Sequence, residues 1–279
     1  MTDGSDKKLR YQLLFFYYFW YYKIMTDKNI FSTIYSKVFD TIVPSKKKRI
    51  LLKISGEALS GKNNDKKYSE EMFKDISEQI KELQRKNVEI AIVVGGGNLF
   101  RGRDLSGLPG VKRMTADYIG MLGTVQNSLV LRDYFESVGI DARVSSAIGM
   151  RRVCSEMMQA EVEEHLSHGC VIIFAAGLGA AYFSTDSNAV QRSLEIGADM
   201  LVMAKNGVDG VYSADPKTDP KAVKIVKMKA IDVLQKNLKV ADASAVALAK
   251  EHGLKIKVVA MDAITSVFDD KVGSVIEPE

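Results

Sequence analysis

"IAIVVGGGNLFRGRD", Ile90 to Asp104, carries an apolar run straight into three glycines, then Asn98, Arg101 and Arg103. An uninterrupted apolar run bounded by turn residues reads as a strand buried on both faces, the signature of a parallel sheet. Three consecutive residues without side chains suit a loop whose backbone must press against something.

The pattern repeats on either side. "RILLKIS" (Arg49–Ser55) reads as a buried strand ending in Gly56, and "VEIAIVV" (Val88–Val94) as a second. Between them, "SEEMFKDISEQIKELQRK" (Ser69–Lys86) predicts an amphipathic helix with Ser69 as N-cap and Met72, Ile76, Ile80 and Leu83 on one face. Downstream, a long helix is expected over Ala116–Ser137, a short strand in "DARVSS", and a helix over "SEMMQAEVEEHLSH". Then follow the strand "CVIIFAA", the helix "DSNAVQRSLEIGA", the strand "DMLVMAK", the helix "ASAVALAKEHGL" stopped by Gly253, and the strand "KIKVVAM". This alternation predicts an α/β fold: one domain, a three-layer αβα sandwich with a largely parallel central sheet.

Composition sets bounds. The chain has 279 residues, 46% of them hydrophobic and 27% charged, as in an ordinary globular protein. Its net charge of +4 is uneven: residues 1–49 hold ten Lys/Arg against four Asp/Glu, and the rest is close to neutral. That balance argues against a nucleic-acid-binding face. Cys154 and Cys170 have no metal-ligand spacing and read as small buried residues. His165 and His168 fit a helix C-terminus, and a reducing, cytoplasmic setting is expected.

Residues 1–46 stand apart. Twelve of the 23 aromatic residues fall in the first 49 positions, mostly in "YQLLFFYYFWYYKI". The run Leu13–Tyr22 is half the roughly 20 residues a membrane span needs. It reads as an interfacial anchor, a poorly ordered extension, or a segment not natively translated, with Met25 as a second start; the last two are expected. The domain is expected over 47–279.

Ligands of open α/β sheets gather at the carboxyl ends of the strands. Three such ends carry glycine-rich or small-residue turns: "KISGEALSG", "VVGGGNLFRG" and "FAAGLGAAYFSTD". Backbone N–H groups near helix starts are phosphate sites, and three of them suggest more than one phosphate group. There is no GxxxxGK[ST] and no GxGxxG, so neither a P-loop nor a dinucleotide fingerprint is present. Lys53 sits inside an apolar strand, a costly place unless it meets an anion or snorkels out at the strand end. Ser184 and Thr185 can cap a helix while facing an anion, and Asp186 either complements that helix dipole or orients Lys53. "AKNGVDGVYSADPKTDP" (Ala204–Pro220) is a turn-rich loop, either a nucleoside rim or a plain crossover.

Taken together, "KRILLKISGEAL", "GGGNLFRG", "ADYIGMLGTVQNSLVLRD", "FSTDSNAVQRSLEIGAD" and "NGVDGVYSADP" resemble the amino-acid-kinase superfamily, and within it the bacterial uridylate kinases. The resemblance spans roughly Lys47 to Phe268. It implies transfer of the γ-phosphoryl group of Mg-ATP to UMP, with Mg²⁺ accompanying ATP and no dedicated protein metal site. It implies catalytic roles for Lys53 and Asp186. ATP would be bound by Lys53, Ile54, Ser55, Gly56, Gly97, Arg101, Asn206, Tyr212 and Asp215. UMP would be bound by Gly96, Asp117, Leu178, Gly179, Ala180, Ala181, Tyr182, Phe183, Ser184 and Thr185. A homo-hexamer and feedback inhibition by UTP are further expectations of the resemblance. The acceptor loop departs from it: "GLGAAYFSTD" stands where relatives resemble "GTGNPFFTTD", so Leu178, Ala180 and Ala181 supply no side-chain donors. "SGKNNDKKYS" (Ser60–Ser69) also lacks the glycine-phenylalanine-glycine pattern of relatives that respond to GTP. A kinase of this fold with an amino-acid or carbamate acceptor, and a nucleotide-binding regulator without catalysis, are the competing expectations.

Overall fold

The computed structural model describes residues 47–60, 66–100, 109–214, 216, 218–238 and 240–279. The aromatic run Leu13–Tyr22, Arg101, Arg103 and Asp215 lie outside the described residues. The element that organises the rest is β1 (Lys48–Ile54), whose residues Ile50, Leu51, Leu52 and Ile54 are fully buried. It pairs in parallel with β2 (Val88–Val94) on one side and β6 (Met200–Lys205) on the other.

From β2 the sheet continues through β5 (Val171–Ala175), β3 (Ala142–Ser146) and the two-residue β4 (Ser155–Glu156), all parallel. From β6 it continues in parallel to β10 (Ile256–Ala260). The antiparallel β11 (Ser274–Glu277) and then β9 (Lys227–Lys229) complete the order β4-β3-β5-β2-β1-β6-β10-β11-β9. A small antiparallel ribbon, β7 (Val211–Tyr212) with β8 (Lys224–Ile225), stands outside this sheet.

Strand periodicity sorts the core into two layers. Ile50, Leu52, Ile54, Ile90, Ile92 and Val94 face α1 (Glu70–Arg85) and α2 (Arg113–Ser137). Leu51, Ala91, Val93, Leu201 and Met203 face α3 (Gln159–Ser167), α4 (Thr185–Glu195), α5 (Ala230–Gln235) and α6 (Ala243–Glu251). The expected αβα sandwich is therefore present. At the amino end of β1, Arg49 ties the layers together. Its guanidinium reaches Glu89 at 2.7 Å, Glu163 at 2.6 Å and the Ile196 carbonyl at 2.5 Å.

Several sequence expectations need correction. The helix expected over "SEMMQAEVEEHLSH" starts only at Gln159. Ser155 and Glu156 pair with β3, and Met157 N donates to Ser146 O at 2.9 Å, so the sheet edge takes the backbone groups a helix would need. Ser69 has the extended backbone of an N-cap but makes no side-chain cap bond. The long helix starts three residues early, at Arg113, where Arg113 Nε meets Asp117 Oδ1 at 2.8 Å. By contrast Ser184 does cap α4, accepting from Ser187 N at 3.1 Å. Gly253 (φ +70°) ends α6 as expected.

Leu52, at the centre of the sheet and fully buried, tests the layer assignment. Leu52→Ala is expected to lower unfolding free energy by about 2–5 kcal/mol, read as a shifted urea midpoint with an unchanged slope.

Candidate active site

The carboxyl ends of β1 and β2 meet almost backbone to backbone. A Cβ on Gly56 would lie 2.6 Å from Gly95 O and 2.7 Å from Asn98 Oδ1. One on Gly96 would lie 2.8 Å from Gly120 O of α2, and one on Gly97 would strike the Glu57 carboxylate at 2.5 Å. Packing against backbone thus demands Gly56 and Gly96 before any ligand is considered, whereas at Gly97 the flexible Glu57 side chain could give way. The loop is held from beneath by Asn127, fully buried on α2. Its Nδ2 donates to Gly95 O and to Asn98 Oδ1, both at 2.7 Å, while its Oδ1 accepts from Tyr68 OH at 3.0 Å.

Beside this loop, Lys53 Nζ lies 2.8 Å from Asp186 Oδ1, with the two side chains only 12% and 14% exposed. Lys53 projects from the end of β1; Asp186 sits in the first turn of α4, placed there by the Ser184 cap. Asp186 Oδ2 also accepts from Asp242 N at 3.3 Å. Burial alone would raise the Asp186 carboxyl. The opposing charge of Lys53, that of Lys205 and the Asp242 N–H outweigh it and hold the group below the ordinary carboxylate range.

Two clefts open here. One, of about 310 Å³, is lined by Gly96, Gly97, Asp117, Leu178, Ala180, Phe183, Ser184 and Thr185, all expected site residues, and by Thr124 and Asn188. Gly97, expected on the ATP side, therefore shares a wall with the expected UMP residues. Gly179, Ala181 and Tyr182 lie outside this lining; Tyr182 N instead donates to Asp117 Oδ2 at 2.9 Å, and the Tyr182 side chain is largely exposed. The second cleft, of about 570 Å³, contains Asn206 and Tyr212 together with Met72, Lys205, Gly207 and Met261. Tyr212 OH donates to Asp209 at 2.6 Å, and Asp209 pairs with Lys224 at 2.7 Å, which fixes that rim. Lys53, Ile54, Ser55 and Gly56 line neither cleft. The Lys53–Asp186 pair links the two: Asp186 follows Thr185 of the first, and the charge of Lys205, in the second, acts on Asp186.

The sequence reading passed over Lys205 and Asn188. Lys205 ends the apolar strand "MLVMAK", the same signal that marked Lys53. Asn188, buried in the first cleft with no partner for its Oδ1 among the described residues, carries no such signal, since an Asn inside a helix looks like any surface residue.

The amino acid kinase family model matches residues 48–260. This chain belongs to the amino acid kinase family. Among its relatives, the uridylate kinase of Tropheryma whipplei (strain Twist) is 46% identical over 228 residues, covering 81% of this chain and 97% of that protein. The uridylate kinase of Cutibacterium acnes is 46% identical over 212 residues, covering 76% and 88%. Among solved structures, UMP kinase from Bacillus anthracis superposes with a TM-score of 0.79 at 33% identity, over 84% of this chain and 98% of the other. UMP kinase from Ureaplasma parvum gives 0.78 at 34% identity, over 84% and 100%. Within this kinase fold, the paired Lys53 and Asp186 occupy the ends of the first strand and of a helix start, the place where an α/β sheet receives anions.

Because the Asp186 carboxyl is held below its unfolded value, its ion pair stabilises the protein above that unfolded value. The contribution disappears as pH falls through the folded value. The stability gap between wild type and Asp186→Asn should therefore be full near pH 6 and close below about pH 4, followed by urea titration at stepped pH.

Proposed function

We propose that this protein is a uridylate kinase that transfers the γ-phosphoryl group of MgATP to UMP. The observation that carries the reading is the Lys53–Asp186 pair, with Asp186 next to Thr185 of a cleft that holds seven of the ten expected acceptor residues and within the field of Lys205 of the cleft that holds Asn206 and Tyr212. The uridylate kinases and UMP kinases similar to this chain support it.

Phosphoryl transfer between two phosphates needs little covalent help. The protein must bring two anions into line and offset the charge that builds on the transferring group. Lys53 supplies one positive charge, with Asp186 fixing where its ammonium points. The free N–H groups at the start of α4 and the glycine loop supply fixed dipoles that need no rearrangement. The acceptor phosphate is ionised at neutral pH, so no general base is required. Magnesium bound to the donor would supply further positive charge to its phosphates. Asp186 is engaged by Lys53 and by Asp242 N.

The roles of the individual residues follow the same reading. Ser55, Gly56 and Gly97 would face the donor phosphates, and Asn206 and Tyr212 its base and ribose. Asp117, Gly96 and the 178–185 stretch would hold UMP. Residues 47–279 would be the catalytic unit, working in the cytoplasm. No described helix is long and apolar enough to cross a membrane. A homo-hexamer under UTP control is part of the proposal. Self-association is supported by an exposed row along α2: Met114, Tyr118 and Leu122 recur at i, i+4 and i+8.

Coupled ADP release with MgATP should occur with UMP and not with CMP, dUMP or glutamate. Lys53→Met is expected to lower kcat by roughly 10²–10³-fold, the scale of losing one preorganised charge at a transition state. Turnover with glutamate instead of UMP would overturn the acceptor assignment. Leu122→Glu, which puts a charge into the apolar row, should shift the protein to smaller assemblies in sedimentation velocity while its circular dichroism stays unchanged.

A further inference from the structure

Two strands, not one, end in a lysine beside the transfer centre. Lys53 of β1 is in register with Met203 of β6, so the two side chains point to the same face of the sheet. Lys205 follows Met203 by two residues and shares that face. Leu51, Leu201 and Met203 fill the same layer beneath α4 and α6. At its upper end stand Lys53, Lys205 and Asp186.

The ammonium of Lys205 donates to Val240 O at 2.7 Å. Two residues on, Asp242 N donates to Asp186 Oδ2. The segment before α6 is thus gripped by both groups and holds them in place. An ammonium has three donors, and only one of those of Lys205 has a protein partner among the described residues. It makes no ion pair with a described carboxylate. It is also the one cation among the described residues lining the 570 Å³ cleft, where Asp75, Asp209 and Asp262 supply negative charge. A cleft that takes a polyphosphate needs positive charge, and Lys205 is the lining residue whose charge acts on Asp186.

We propose that Lys205 is a second ligand for the donor's phosphate chain, reaching it from β6 as Lys53 reaches it from β1; this rests on the reading of the protein as an ATP-dependent kinase. Electrostatics agree. Burial first, then repulsion from Lys53, lowers the Lys205 ammonium below the ordinary lysine range, against the opposing pull of Asp186 and Asp242. An arriving polyanion removes that penalty.

The test compares Lys205→Met and Lys205→Arg with wild type, by calorimetric binding of ATP, ADP and AMP and by steady-state kinetics. One charge-assisted contact corresponds to about 10–100-fold in affinity. Lys205→Met should lose that much for ATP and ADP, leave AMP affinity and the KM for UMP within about twofold, and lower kcat; Lys205→Arg should recover most of the loss. A structural role in holding the 240–242 segment would weaken AMP as much as ATP, and that result overturns the proposal. So does unchanged ATP affinity and kcat. If Lys205→Met does not fold, Lys205→Gln, which can still bond Val240 O, is read by the same comparison. Wild type that binds UMP but neither binds ATP nor turns over would sink the kinase reading itself. Active wild type with an indifferent Lys205 would sink only this inference.

Discussion

The structure depends on one close approach, that of the β1 turn to the β2 loop. Gly56 and Gly95 are so near that neither tolerates a Cβ without moving backbone, and Gly96 is pressed in the same way on α2. Because β1 and β2 are adjacent parallel strands, their carboxyl ends must emerge side by side. Glycine lets both turns occupy that space, and the Asn127 amide fixes the result by bonding Gly95 O and Asn98 Oδ1. A loop set this firmly before any ligand arrives presents its N–H groups at no further cost in order. Packing alone accounts for the close approach, and under the proposed function the same glycines would give a phosphate chain access to the backbone.

Around that fixed point the charges are arranged sparingly. Lys53 and Asp186 are nearly buried, and such a pair is worth little to stability unless its geometry is good and its remaining groups are satisfied. Asp242 N supplies one of those partners, and Val240 O supplies one for Lys205. Lys205 is buried near Lys53 with one donor bonded to Val240 O, and under the proposed function a phosphate chain would offset the repulsion between the two ammonium groups.

The layered fold was legible because buried parallel strands are written as apolar runs and their ends as glycine turns. β1, β2, β5 and β6 follow that pattern; β10 has an apolar run but leads straight into Met261–Ser266 without a glycine. The short strands β4, β7, β8, β9 and β11 were not, since two to four residues such as Lys224–Ile225 or Ser274–Glu277 carry no period and acquire pairing only from neighbours far along the chain. The same limit explains Ser155–Glu156, where the edge of β3 overrode a helical pattern. At the site, Lys53 was legible as a lysine in an apolar strand, yet the same rule marks Lys257, whose ammonium simply bonds Asp269 O at 2.8 Å. Only the fold separates the lysine that faces an anion site from the one that closes a loop. Asn127, whose bonds define the glycine loop, looks in sequence like any polar residue of a long helix.

The acceptor loop shows why its unusual sequence need not weaken it. Between Ala176 and Tyr182, four residues adopt left-handed backbone angles: Ala176, Gly177, Gly179 and Tyr182. Two of these are not glycine, and each such residue carries roughly 1–3 kcal/mol of strain. The offset comes from α2. Thr124 Oγ1 accepts from Ala176 N, and Asp117 Oδ2 accepts from Tyr182 N, both at 2.9 Å. Thr124 and Asp117 are two turns apart on one face of the same helix, so a single rigid element holds both strained ends of the loop. Leu178, Ala180 and Ala181 can then dispense with side-chain donors, because the shape of the loop is imposed from outside it and its backbone N–H groups are what remain to meet a ligand. Asp117 thus serves the loop through Oδ2 while its Oδ1 is held by Arg113, one turn earlier on the same helix.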